Sequence, residues 1–255
     1  MLRHLTALLA ALAVAAGASA ADKKLTIRWH GQSFFEIISS DGTRIVTDPH
    51  AIDAFGRQDV KADIVTCSHL HNDHTRIDVL DEKSKPKVFY GVKAEKDGKR
   101  FVWNPIDEKV KGVHFYSVGT YHDDEQGLKR GLNSVLVFEV DGFRIAHLGD
   151  LGHKLSDAQI KSIGKVDVLM IPVGGVYTLN GSEAKEVVAQ IEPRFFIVPM
   201  HYGIKGTYED VLPADEFLDE QKNVRKDKPE ELTLEKGAEP PKNPEIVLLR
   251  WVGEK

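Results

Sequence analysis

The segment "DIVTCSHLHNDH", Asp63 to His74, sets an apolar run directly against three histidines and an aspartate within six positions. Such a run folds as a strand, and donors this dense belong at its end, where the chain can turn several side chains toward one point. Alternate residues of an extended segment share a face, so His69 and His71 can grip one ion while Asp73 and His74 turn toward a neighbouring position. Asp73 also reads as the N-cap of a helix opening at "HTRIDVL". Imidazole with carboxylate suits zinc, manganese or iron. The plain alternative is a polar loop of solvated histidines, and HxHxDH placed straight after a β-rich run weighs against it.

A metal pair needs more ligands than one loop gives, so further donors are expected at other strand ends. They occur as His122 in "SVGTYHDD", as His147, Asp150 and His153 in "FRIAHLGDLGH", and as His201 in "FFIVPMHYG". The strands are short runs rich in Val, Ile and Phe, among them "KLTIRW", "SFFEII", "RIVTD", "KVFY", "SVLVFEV", "VDVLMIPV" and "EIVLLRW". In "EVDGFRI", Asp141 and Gly142 mark a tight hairpin. Helices are fewer: "SDAQIKSI" behind Ser156, "GSEAKEVVAQI" with Ser182, and "PADEFLDEQKNV" from Pro213. Strand-rich segments broken by a few helices imply a layered α/β or α+β domain. The charged, proline-containing stretch from Asn223 to Asn243 reads as a surface excursion before the last strand.

Residues 1–20, "MLRHLTALLAALAVAAGASA", have a positive start, an apolar run from Leu5 to Ala16 and an "ASA" ending. This pattern predicts a secretory signal peptide cleaved after Ala20, and hence a periplasmic or secreted protein without a stable membrane anchor. The apolar run is shorter than the ~20 residues of a membrane span. Cleavage removes Arg3 and no acidic residue, leaving the chain one unit more negative than its formal −5. No Lys/Arg-dense stripe with interleaved aromatics appears, so a nucleic-acid partner is not expected and a small-molecule substrate is. Residues 21–255 fit one domain. The single cysteine, Cys67, cannot form an internal disulfide.

The order HxHxDH, a lone His, an Asp in a strand-end "GD" and a final His resembles the metallo-β-lactamase superfamily along nearly all of residues 21–255. Within it, "IRWHGQSFFEI", "IVTDPH", "GTYHDD", "RIAHLGDLGH" and "IVPMHYG" look like the UlaG-like, or L-ascorbate-6-phosphate lactonase-like, hydrolases. The resemblance implies a four-layer αββα sandwich with two mixed β-sheets and a dinuclear site along one edge. It implies that His69, His71 and His122 hold a first divalent metal ion, that Asp73, His74 and His201 hold a second, and that Asp150 bridges them. Zinc is the first choice, with manganese or iron as alternatives. A hydroxide shared by the two ions would be the nucleophile, helped into place by Asp73.

Several residues keep two readings. Asp48 in "IVTDPH" either orients a ligand histidine or starts a turn. Strand alternation puts Cys67 on the face of His69, where it packs at the strand end, and nothing marks it as a nucleophile. His30, His50, His147 and His153 are surplus to the ligand set and read as packed or pocket-lining, with His153 the first choice for a substrate-facing proton donor. The segment Asp123 to Ser134, with Lys129, Arg130 and Asn133, is either a pocket wall that meets an anionic group or a solvated hairpin loop. Gly174 and Gly175 lack the GK[ST] of a phosphate loop and fit a loop near the metal edge carrying Tyr177.

The expected activity is metal-dependent hydrolysis of an ester, lactone, amide or phosphoester of a small molecule. The competing expectations are an iron-dependent redox enzyme on the same scaffold, and a metal-binding protein without catalysis. Nuclease chemistry is set aside, because the negative balance opposes phosphate-backbone binding.

Overall fold

The computed structural model describes residues 24–56 and 59–254. The expected signal peptide, residues 1–20, lies outside the described residues. In chain order, the strands open with β1 (Lys24–Trp29), β2 (Phe35–Ile38), β3 (Arg44–Thr47), β4 (Ile64–Cys67) and β5 (Lys87–Tyr90). A small ribbon follows, β6 (Val92–Ala94) with β7 (Phe101–Trp103), and then β8 (Asp107–Val110), β9 (Val113–Tyr121), β10 (Leu132–Val140) and β11 (Phe143–His147). Helix α1 (Asp157–Ile163) leads to β12 (Val168–Pro172), and α2 (Gly181–Ile191) leads to β13 (Phe196–Met200). The short α3 (Asp215–Leu218), β14 (Glu231–Glu235) and β15 (Glu245–Ile246) complete the order.

Two mixed sheets result. The first runs β14-β1-β2-β3-β4-β5, parallel only across β3, β4 and β5. The second runs β15-β13-β12-β11-β10-β9-β8, antiparallel from β8 to β11 and parallel beyond. Phe35, Ile37, Ile45 and Ile64 of the first sheet share one apolar cluster with Leu136, Phe138, Ile145 and Val168 of the second. Each such side chain contributes about 1.5–3 kcal/mol on burial, and this shared core clamps the sheets face to face. Outside the second sheet, α2 buries Ala184, Val187 and Ile191. Outside the first, the layer is thin: the 3₁₀ turns Asp53–Phe55 and Ile77–Val79 with their loops, over a smaller cluster that includes Val46, Val65 and Cys67. The expected αββα sandwich is thus present, with its helices concentrated on one side.

The hairpin at Asp141 and Gly142 forms as expected, both residues having positive φ, 55° and 87°. Ser156 caps α1 in a reciprocal capping box with Gln159. For α2 the cap is Asn180 with Glu183, two residues before the expected Ser182, whose hydroxyl instead donates to Glu216 (2.7 Å). No helix starts at His74. That segment makes a turn and then a single 3₁₀ turn capped at Arg76, so Asp73 is not an N-cap. The polar excursion hides a strand: in β14 Leu232 and Leu234 point inward while Glu231, Thr233 and Glu235 face solvent, paired against β1. The final "EIVLLRW" is regular only over Glu245–Ile246, with an isolated bridge from Trp251 to Trp29.

Candidate metal centre

Each metal-binding side chain expected from the sequence follows the C-terminal end of a strand. His69, His71, Asp73 and His74 follow β4, His122 follows β9, Asp150 comes after β11, and His201 after β13. Carboxyl ends of parallel strands leave a crevice, and β4 with β11 to β13 open theirs along one shared edge.

The side chains converge on one oxygen. Asp150 Oδ2 lies 3.1 Å from His122 Nε2, 3.3 Å from both His74 Nε2 and His201 Nε2, and 3.9 Å from His69 Nε2. His69, His71 and His122 form one set of mutually close donors, and His74, Asp150 and His201 form another. His69 Nε2 and His71 Nδ1 are themselves 3.0 Å apart.

The loop that carries the first histidines is held by side chains. Asp48 accepts the backbone N–H and the hydroxyl of Ser68, each at 2.6 Å, and pairs with His74 Nδ1 at 2.9 Å. Ser68 Oγ lies 2.9 Å from His69 Nδ1. This chain places the Nδ1 protons of His69 and His74 on the Asp48 side and turns both Nε2 atoms inward. Of its two readings, Asp48 therefore takes the orienting one. Its φ of 43° is a strained conformation for a residue with a side chain, held by the bond from its N–H to Thr66 O (2.9 Å).

Gln32, absent from the sequence-based site, is fully buried beside these residues. Ser33 N–H donates to its Oε1 (2.7 Å), which fixes the amide with its NH₂ toward Asp73 Oδ2 (3.2 Å) and His74 Nε2 (2.9 Å). Its backbone oxygen accepts the N–H of His201 (3.1 Å). Both Gln32 and His201 have positive φ, 48° and 50°. Nothing in the spacing of "HGQSFF" marks the glutamine apart from its glycine neighbour.

Charge is tuned around the same point. Burial works to raise the Asp150 value, but the facing His201 and His74 and the bonds from His122 and His201 hold it well below the usual carboxylate range. Burial, with His74 nearby, pushes His69 well below the ordinary imidazole value, and burial lowers His71 too, so both are neutral and free to donate a lone pair. His74 is the exception: burial would lower it, yet Asp150 and Asp48 hold it well above the ordinary range. The geometry thus calls for positive charge between the His74 ring and Asp150, and the neutral donors around them suit a divalent cation in that place. The donor set fits zinc, manganese or iron.

Asp73 stands beside the second set: its Oδ2 lies 3.8 Å from His74 Nε2, and its side chain is partly exposed at the cavity wall, where it accepts from the Gln32 amide. His153 does not reach the centre. Its Nδ1 meets Lys154 O (2.7 Å) and its Nε2 accepts Tyr121 N–H (3.1 Å), so both ring nitrogens serve the backbone. The other surplus histidines are packed: His147 Nε2 is bonded to Ser33 O (2.9 Å) and His50 Nε2 to Gly31 O (3.1 Å). His30 is buried against Phe34. Cys67 is buried, and burial raises its thiol value well above normal, as suits an inert packed residue.

The centre opens into a cavity of about 500 Å³ walled by Asp73, Arg130, Tyr177, Tyr208 and Asp210. A slightly larger hollow, about 560 Å³, lies between Phe196 and β14 and brings no such donors together.

Residues 26–201 match the family model described as a beta-lactamase superfamily domain. A UPF0173 protein of Pyrococcus furiosus is 31% identical over 211 residues, covering 79% of this chain and 92% of its own. A UPF0173 metal-dependent hydrolase of Thermococcus onnurineus is 28% identical over 227 residues, 83% of this chain and 96% of its own. Among solved structures, a Thermotoga maritima protein described as a candidate zinc-dependent hydrolase of the metallo-beta-lactamase superfamily superposes with a TM-score of 0.67 at 35% identity, covering 88% of this chain and 98% of its own.

Proposed function

This chain belongs to the beta-lactamase superfamily and is a metal-dependent hydrolase, and we propose that it uses two divalent cations, zinc in the first instance, to hydrolyse an ester, lactone, amide or phosphoester of a small molecule. The observation that carries the two-cation reading is the single Asp150 oxygen within 3.1–3.9 Å of ring nitrogens from His122, His74, His201 and His69. A carboxylate so placed would offset the repulsion between two cations.

In this reading His69, His71 and His122 would hold one cation, Asp73, His74 and His201 would hold the other, and Asp150 would offset the charge of both. Bound there, the cations would supply Lewis acidity and lower the pKa of water to about 7. Asp48 and Ser68 keep His69 and His74 in the tautomer that donates from Nε2. Gln32 offers a fixed N–H beside Asp73, and Asp73, open to the cavity, steers incoming water through its carboxylate. Water oxygen bonds to the acyl carbon or phosphorus, the bond to the departing oxygen or nitrogen breaks, and that atom takes the proton. The inclusion of lactones rests on the lactonase-like motifs around Trp29 to Phe35 and His201.

The test is elemental analysis of the purified protein together with a panel of chromogenic esters, lactones and phosphodiesters. Two zinc per chain and turnover that chelation abolishes and zinc restores are expected. One iron per chain with oxygen consumption would overturn the reading. Residues 1–20 are proposed as a cleaved export signal. Recovery of protein starting at Ala21 from the cell envelope supports this, and an intact Met1 in the cytosol sinks it.

A further inference from the structure

Arg130 stands where two hollows meet. One is the cavity of about 500 Å³ at His122, Asp150 and His201. The other, about 390 Å³, adjoins His69 and has Val92, Phe101 and Leu132 as its apolar wall. His71 and Arg130 line both.

The arginine is built into place although its head is exposed. Asp123, directly after His122, is buried and accepts four backbone N–H groups of its own loop: Glu125 and Gly127, each at 2.8 Å, Lys129 at 3.0 Å and Arg130 at 2.7 Å. The guanidinium donates to Val176 O (3.0 Å) and lies 4.8 Å above the Tyr177 ring. It makes no ion pair among the described residues, whereas its neighbour Lys129 is paired with Glu125 at 2.8 Å. The loop is therefore a rigid pocket wall that presents one free, preoriented cation, with most of its donors unused.

Two of the exposed large apolar side chains among the described residues line these hollows, Tyr177 the first and Phe101 the second, and Val176, also exposed, accepts from the Arg130 guanidinium through its backbone oxygen. Exposed apolar residues gathered at one place mark a binding surface. Among the described residues Arg130 is the one Lys or Arg lining the first hollow, and its planar guanidinium matches a carboxylate in a two-bond fork.

Resting on the hydrolytic reading above, we propose that the substrate is an acyl amide or ester of a small amino or hydroxy acid: its carboxylate meets Arg130, its apolar acyl chain lies against Val92, Phe101 and Leu132, and its acyl bond sits at His71 between them. Water oxygen bonds to the acyl carbon, the carbon–nitrogen or carbon–oxygen bond breaks, and the proton goes to the departing amine or alcohol. No oxidant or reductant is required.

The experiment compares N-dodecanoylglycine, N-dodecanoylglycinamide and N-acetylglycine on the zinc-loaded full protein, by kcat/KM where there is turnover and by calorimetric Kd where there is none. The expected result is a preference of about 10- to 100-fold for the carboxylate over the glycinamide, carried in KM and abolished in R130Q. A preference for dodecanoyl over acetyl should shrink about tenfold in F101A. Equal handling of glycine and glycinamide compounds, or a preference that survives R130Q, overturns the inference. Turnover without that preference would defeat this proposal alone, and binding with the preference but without turnover would defeat the hydrolytic reading alone.

Discussion

The two halves of the centre are held in different ways. On the first sheet, side chains orient side chains: Asp48 and Ser68 tie the far nitrogens of His74 and His69, and Gln32 reaches Asp73. On the second sheet, His122 Nδ1 and His201 Nδ1 are buried with no hydrogen-bond partner among the described residues. His201 is set by its backbone, with a φ of 50° and its N–H on Gln32 O, and Asp150 by its N–H on Asn133 Oδ1 (3.0 Å). One half thus depends on side chains that bond the far ring nitrogens, and the other mainly on the path of the chain, with the Asn133 side chain holding the Asp150 N–H. Substitutions of polar side chains should fall hardest on the first half, and changes of backbone fit on the second.

Asp150 is the point at which both halves meet, so its loss should erase the contrast. Asp150→Ala is expected to lower turnover by about 10³-fold and to strip metal from the protein, read by elemental analysis after dialysis. Unchanged metal content would mean that the carboxylate serves neither half. Next in size is Asp48→Asn, which keeps shape and tolerates the positive φ but gives up the charge facing His74. Metal affinity measured by chelator competition should fall about 10- to 100-fold, because Asp48 orients His74 directly and His69 through Ser68. Unchanged affinity would show that the first half does not depend on this relay.

The second half is tested by backbone fit. Gly149, just before Asp150, has a φ of 54°, and a Cβ there would stand 2.4 Å from Asn133 Oδ1 and 2.6 Å from Ser68 Cβ. Gly149→Ala should cost about 1–3 kcal/mol in stability, seen as a lower melting temperature, because the strained conformation and the close approach both oppose a side chain. The same change should shift Asp150 and loosen the metal without touching any donor. A variant as stable and as metal-tight as the original would break the idea that chain path governs this half.

The contrast also explains what could be read from the sequence. The donors were legible because each follows a strand end in a short motif, and the strands because Val, Ile and Phe crowd them. The orienting groups of the first half were only partly legible. Asp48 stands out at the end of "RIVTD", but Ser68 and Gln32 are ordinary polar residues whose work depends on distances across the fold. Asp73 was legible as a donor from its place between histidines, but the bond it accepts from the Gln32 amide depends on the turn at His71 to His74. The edge strand β14 was masked by its own solvent face, since Glu231 and Glu235 obscure the alternation of Leu232 and Leu234. Asn180, not Ser182, caps α2 because both residue types cap well and only the chain path decides between them.

His153 gives the smallest effect and the sharpest separation of structure from chemistry. Its position three residues after Asp150 suggested a proton donor, but Nδ1 and Nε2 bind Lys154 O and Tyr121 N–H. Burial lowers its value, so the folded protein keeps it neutral while the unfolded chain protonates at the ordinary imidazole value near 6.5. The sign follows: its contribution is complete above that value and is lost as pH falls below it, because the unfolded state then binds the extra proton. His153→Gln should therefore lower stability by about 1 kcal/mol at neutral pH and less at mildly acidic pH. Turnover of the zinc-loaded enzyme and its pH profile should stay as they were. A vanished acidic limb in that profile would return His153 to the reaction, and would mean that the loop after β11 reaches the cavity in a conformation other than the one in which both ring nitrogens are bound to backbone.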